Sequence, residues 1–268
     1  MRRIHGSKWF LISRPKPLAR YRLFCFPYAG GSASAYLPWE DLLPAQVELV
    51  AIQPPGRANR LDERLSTSVV ETAEQLARVI PPLLDRPYLT YGHSMGSIVS
   101  FELLHLLKAS GLPLPRRYFG AARQGPQVPR RIAPFYDYPL EEFKIELKRF
   151  GGTPDAVLEN AELMEMLVPM LRTELRAAYA YRREPVAKLE CDVSIFGGTR
   201  DEIVLPEELP PWQEHFLKKM DFRLFDGSHF FMEDNKDQVV SAICESIGLS
   251  RPGAPLSHSA RLPATWPP

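Results

Sequence analysis

The tightest constraint in this chain is a switch of hydrophobic pattern around one serine. A β-like run at residues 88–91 passes through Gly92-His93-Ser94-Met95-Gly96 straight into an apolar helical stretch at residues 95–108. A chain that leaves a strand and enters a helix within so few residues must turn sharply. Small residues two before and two after the turn relieve its crowding against neighbouring strands and helices, and Gly92 and Gly96 stand at those places. A serine that merely caps a helix is the plain alternative. The strand before and the apolar helix after favour a nucleophile elbow instead. Ser94 is then the nucleophile, and the N–H of Met95, at the positive end of the helix dipole, is an oxyanion donor.

Around this turn the pattern alternates, with further β-like runs at residues 22–26, 47–53, 118–122, 193–196 and 222–225 and helical patterns at 68–84, 207–218 and 233–247. Such alternation predicts an α/β fold, a mainly parallel sheet with helices on both faces, its core formed by residues 1–123 and 191–249. Between residues 124 and 190 it stops, and helical patterns at 139–150 and 161–181 mark an insertion. Met164, Met166, Leu167, Met170 and Leu171 there suit the core of a small helical subdomain, the default for such spacing, or the wall of an apolar substrate tunnel. Residues 250–268, rich in Ser, Pro and Ala without a hydrophobic period, read as a disordered tail.

With 45% apolar and 24% charged residues and a net charge of +1, the chain is neither disordered nor a nucleic-acid binder by composition. The apolar run at residues 9–12 is too short for a signal-peptide core or a membrane span, which predicts a cytoplasmic protein with no membrane partner. Cys25, Cys191 and Cys244 are odd in number, widely spaced and set among apolar residues. They suit buried free thiols better than a disulfide framework, a metal site or a catalytic cysteine. Without a metal cluster, flavin fingerprint or nucleic-acid motif, no cofactor and no metal are expected.

A serine hydroxyl needs a histidine to take its proton, and the histidine needs a carboxylate to fix its tautomer. Where a serine sits on such an elbow the chain order is Ser, acid, His. Four histidines follow Ser94. His105 lies on the helix running away from the elbow, His215 in a helical pattern and His258 in the tail, whereas His229 sits in Phe225-Asp226-Gly227-Ser228-His229-Phe230-Phe231, a loop directly after a strand. His229 is therefore the expected base. The apolar run ending in Gly197-Gly198-Thr199-Arg200-Asp201 offers Asp201 as the acid, with Glu202 beside it and Asp226 as rivals, the latter better placed to serve its own turn. A second oxyanion donor is expected from Phe26-Pro27-Tyr28-Ala29-Gly30-Gly31-Ser32, where the N–H of Tyr28 or Ala29 can complete the hole with Met95. The Gly-Gly pair lacks the Lys-Ser/Thr of a phosphate-binding loop, so nucleotide binding is not expected.

Taken together, Phe26 to Ser32, the Pro55-Gly56-Arg57 loop, the Gly92 to Gly96 elbow, the G-x-x-x-D string ending at Asp201 and Gly227-Ser228-His229-Phe230-Phe231 resemble the type II thioesterases, over about residues 9–249. These are stand-alone editing enzymes of polyketide synthases and nonribosomal peptide synthetases. The resemblance implies an α/β-hydrolase fold with residues 124–190 as a helical lid, Ser94, Asp201 and His229 as triad, and Ala29 and Met95 as oxyanion donors. It also implies acyl groups on the phosphopantetheine arm of acyl or peptidyl carrier domains as substrates, and a monomer. Ser228 stands where many relatives have glycine, and the Pro-rich tail is outside the pattern.

The triad alone does not separate a thioesterase from an ester hydrolase or a product-releasing acyltransferase or cyclase. A catalytically idle carrier-binding protein is a third possibility, disfavoured by three intact triad candidates. Arg116, Arg117, Arg123, Arg130, Arg131, Lys144, Lys148 and Arg149 would, if they share one face, make a basic rim that steers acidic carrier domains; a merely solvated set of charges is the alternative.

Overall fold

The computed structural model describes residues 7–185 and 187–252. One sheet organises them, built from β1 (Phe10–Leu11), β2 (Tyr21–Phe26), β3 (Val47–Ile52), β4 (Tyr88–His93), β5 (Arg117–Ala121), β6 (Asp192–Gly198) and β7 (Asp221–Phe225), in the spatial order β1-β3-β2-β4-β5-β6-β7. β1 runs antiparallel to β3, and every other pairing is parallel. The central strands are buried along almost their whole length because parallel strands are covered on both faces, which is why they read as continuous apolar runs. Side chains alternate across β2. Phe24 and Phe26 pack into one apolar cluster with α1 (Val69–Val79) and α2 (Met95–Ala109), while Leu23 and Cys25 join the other with Val239, Val240 and Ile243 of α7 (Lys236–Glu245).

The chain leaves β2 for β3 on one side and returns to β4 on the other, so the strand order reverses between β2 and β4. The loops at the carboxyl ends of these strands diverge and leave a crevice there. Those loops carry Tyr28–Gly31 and Ser94, so topology alone brings the two predicted oxyanion segments together.

Between β5 and β6 the chain forms α3 (Leu140–Phe150), α4 (Asp155–Leu158) and α5 (Ala161–Ala180), which share an apolar cluster of their own. Met164, Met170 and Leu171 are buried in it and Met166 is exposed, as a helical core predicts. Leu171 also lines the cavity over Ser94.

Several sequence expectations need correction. The helix expected at 207–218 is two 3₁₀ segments, Pro206–Glu208 and Pro210–His215, because prolines at 206, 210 and 211 withhold the N–H groups that an α-helix needs. The helix expected at 68–84 starts on its Ser68 cap but stops at Val79, ahead of Pro81 and Pro82. The one expected at 233–247 is divided at Asn235, whose side-chain amide donates to the carbonyls of Asp226 and Phe231. Of the expected tail, residues 253–268 lie outside the described residues. Cys25, Cys191 and Cys244 are free and buried. Burial raises all three thiols, Cys25 well above its ordinary value, Cys191 to about 12 and Cys244 to about 11.

Candidate active site

Ser94 follows β4 at φ +51° and ψ −112°, a strained conformation for a residue with a Cβ, and its N–H donates to Ala121 O at 2.8 Å. The strain is held by close packing. A Cβ on Gly92 would lie 2.3 Å from Gly96 O, and one on Gly96 would lie 2.1 Å from Phe26 O. Gly96→Ala is therefore expected to push the end of β2 away and lower the thermal unfolding midpoint by more than about 10 °C, equivalent to a few kcal/mol. An unchanged midpoint would show that the elbow has slack the geometry denies.

His229 lies in the loop after β7. Its Nε2 is 3.0 Å from Ser94 Oγ and its Nδ1 is 2.9 Å from Asp201 Oδ2. The other carboxylate oxygen of Asp201 accepts from the N–H groups of Ile203 at 2.9 Å and Val204 at 3.0 Å. Burial alone would raise the Asp201 carboxyl, but His229 and these two N–H groups together hold it below its ordinary value. The rivals do not join them. Asp226 pairs with Arg200 and accepts from Thr199 Oγ1, serving its own turn, and Glu202 is exposed to solvent. His215 Nε2 donates to Gln127 Oε1 at 2.7 Å, His105 packs edge-on to Phe101, and His258 lies outside the described residues.

One residue that supports this arrangement carries no sequence signal of doing so, because it precedes the serine. His93 is fully buried, and its Nε2 donates to the carbonyl of His229 at 2.8 Å, while Nδ1 faces Tyr91 Oη at 3.3 Å. It fixes the backbone that carries His229. Burial, and then the charge of His229, pull the His93 pKa down to about 3, so it stays a neutral donor. Burial likewise lowers His105 to about 3 and His215 to about 4, helped in both by Arg183. Unfolded, each would take up a proton near the ordinary value of 6.5. Between about pH 6.5 and 4 the unfolded chain then binds protons that the folded chain refuses, so stability falls as the pH falls through that window. Urea-unfolding midpoints should drop steeply from pH 7 to pH 5, and a flat profile would contradict neutral burial of these rings.

The oxyanion segment is a tight turn. Gly31 N–H donates to Tyr28 O at 2.9 Å, and Gly30, at φ +81°, takes the third position of a type II turn. Because the peptide is planar and trans, the N–H of Ala29 points away from the Tyr28 carbonyl and out of the turn. Neither it nor the N–H of Met95 has a hydrogen-bond partner among the described residues. Both residues line one cavity with Ser94 and His229, about 650 Å³ counting the space open to solvent, whose far wall includes Phe135, Leu147, Phe150, Leu171 and Leu175. Such a site can stabilise a tetrahedral oxyanion formed on Ser94.

The comparisons with known proteins converge. The profile of the family described as "Thioesterase domain" matches residues 21–247. The gramicidin S biosynthesis protein GrsT of Aneurinibacillus migulanus is 35% identical over 91% of this chain and 95% of that protein. Thioesterase PikA5 of Streptomyces venezuelae is 31% identical over 98% of this chain and 93% of that protein. Among solved structures, the type II thioesterase BorB from the borrelidin biosynthetic cluster superposes with a TM-score of 0.81 and 30% identity, covering 92% of this chain and all of that one. The chain belongs to the thioesterase family. The resemblance to type II members read from the sequence is borne out, and with it the α/β-hydrolase fold and thioester hydrolysis as the activity.

In this thioesterase part of the expected basic rim is neutralised or buried. Arg117, Lys144, Lys148 and Arg149 are each paired with carboxylates, and Arg123 is buried in the wall of the cavity. Nε and Nη1 of Arg123 have no partner among the described residues, while Nη2 donates to Ala178 O. Among the described residues no group of three or more His, Cys, Asp or Glu side chains is disposed to hold a metal ion, and no helix is long and apolar enough to cross a membrane.

Proposed function

We propose that this thioesterase hydrolyses acyl groups from the phosphopantetheine arms of acyl or peptidyl carrier domains, unblocking a polyketide or nonribosomal peptide assembly line, and does so as a cytoplasmic monomer. Ser94 Oγ attacks the thioester carbonyl while His229 Nε2 takes its proton, and Asp201 stays ionised to hold the imidazole. The oxyanion accepts from the N–H groups of Ala29 and Met95. Ala29 is preferred to Tyr28 because its N–H points out of the turn, and Ala29 lines the cavity. Collapse expels the arm's sulfur with the proton from His229, and water then attacks acyl-Ser94 with His229 again as base. Residues 124–190 act as a lid, under which a narrow arm reaches the serine.

The observation that carries this reading is the continuous Asp201–His229–Ser94 hydrogen-bond chain opening on a cavity walled by the inserted helices. The names of relatives, which speak of gramicidin S biosynthesis and of the borrelidin cluster, support the assembly-line setting. Intact-mass analysis of acylated carrier domains tests it. Incubation should remove the acyl mass and leave the arm, with higher kcat/KM than for the same acyl group on free coenzyme A. Equal efficiency on both would make the protein a general thioesterase, and faster cleavage of the matching oxygen ester would make it an ester hydrolase. With so many of the basic residues paired, the carrier preference should change little between 50 and 300 mM salt, roughly the range over which exposed charges become screened.

A further inference from the structure

The oxyanion turn is gripped from two sides by a buried ion pair that the triad does not use. Glu174, on α5, accepts from Gly30 N–H at 2.7 Å through Oε2 and pairs through Oε1 with Arg57 Nη2. Arg57, from the loop after β3, donates through Nη1 to Gly31 O and through Nε to Pro55 O at 3.2 Å. Both side chains are more than nine-tenths buried, Arg57 at 6% and Glu174 at 7% exposure. One helical turn before Glu174, Leu171 fills the space beside Gly30, where a Cβ would lie 2.6 Å from its Cδ2. The inserted helix thus touches the turn through a polar and an apolar side chain on one face.

We infer that Glu174 and Arg57 are positioning residues for catalysis, setting the angle of the Ala29 N–H and making the oxyanion hole depend on how α5 is seated. This rests on Ala29 being an oxyanion donor as proposed above. The Tyr28–Ala29 peptide turns as one rigid plane, and among the described residues its carbonyl is tied only to Gly31, whose own carbonyl and neighbouring N–H are the groups held by Arg57 and Glu174. Releasing either clamp frees the plane to rotate. Hydrogen bonds in an oxyanion hole lose strength steeply with angle, so a small rotation removes transition-state stabilisation while leaving the substrate cavity in place.

The test compares wild type with Glu174→Gln and Arg57→Lys. Gln keeps one acceptor for Gly30 but leaves Arg57 without its charge partner, and Lys keeps the charge but cannot reach three acceptors at once. For each, kcat and KM are measured with a short acyl thioester, together with the affinity of an alkyl boronic acid, which forms a tetrahedral adduct on Ser94 and so requires the oxyanion hole. The expected result is a fall in kcat of about 10- to 100-fold with KM within about threefold, matched by a similar loss of boronate affinity. Circular dichroism should be native in both. A folded variant with wild-type kcat overturns the inference, as does a fall in kcat with undiminished boronate affinity. If Glu174→Gln fails to fold, Arg57→Lys decides by the same ratio. Failure of wild type itself to hydrolyse the thioester or bind the boronate would instead sink the proposed function.

Discussion

Ser94→Ala is expected to lower kcat by about 10⁴- to 10⁶-fold while leaving the fold intact. The substitution removes only an oxygen, and the strained φ at this position is held by backbone contacts of Gly92 and Gly96 that do not involve the side chain. His229→Ala should be about as damaging, because without a base the hydroxyl remains protonated and inert. The Ser94→Ala/His229→Ala double variant should be scarcely worse than either single one, since the groups act as a unit. Rates on an acylated carrier domain, with circular dichroism to establish folding, provide the measurement. A folded Ser94→Ala protein within tenfold of wild type, or losses that add, would remove Ser94 and His229 from a common step.

The second large effect concerns the acid. Asp201→Asn should lower kcat by about 10³- to 10⁴-fold. One carboxylate oxygen accepts from His229 Nδ1 and the other from the N–H groups of Ile203 and Val204. An amide in this place keeps its oxygen on the two backbone donors and turns its NH₂ toward Nδ1. The imidazole must then present a lone pair there and carry its proton on Nε2, facing Ser94, where it cannot act as a base. Glu202→Gln and Asp226→Asn should stay within about threefold of wild type, because their side chains do not reach His229. A severe loss at either, with a mild one at Asp201, would move the acid.

Much of this was legible in the sequence for one reason. A parallel sheet covered on both faces writes its strands as apolar runs, so β2 to β7 could be placed to within two residues at most of their ends. β1 could not, because two residues have no period and its pairing with β3 is purely tertiary. The false helix at 207–218 shows the converse, an apolar spacing overruled by three prolines. The proposed triad members were legible through chain order, since each follows a strand whose end must lie at the same edge of the sheet. His93 was hidden in plain view beside Ser94. Glu174 was beyond reach, as one acid among several on a helix, and nothing local tells that it will meet a turn 144 residues away.

The burial of the three cysteines bears on how such a catalyst coexists with its own product. Every turnover frees a thiol, and thiols in solution exchange with whatever disulfides surround them. The reactive species in exchange is the thiolate, and Cys25, Cys191 and Cys244 are both shielded from solvent and held protonated by their apolar surroundings. The enzyme therefore offers no partner for mixed-disulfide formation with the arm it has just cleared. An aromatic disulfide dye can accordingly be left in the cuvette to report each released sulfhydryl in real time, without the reporter consuming the catalyst.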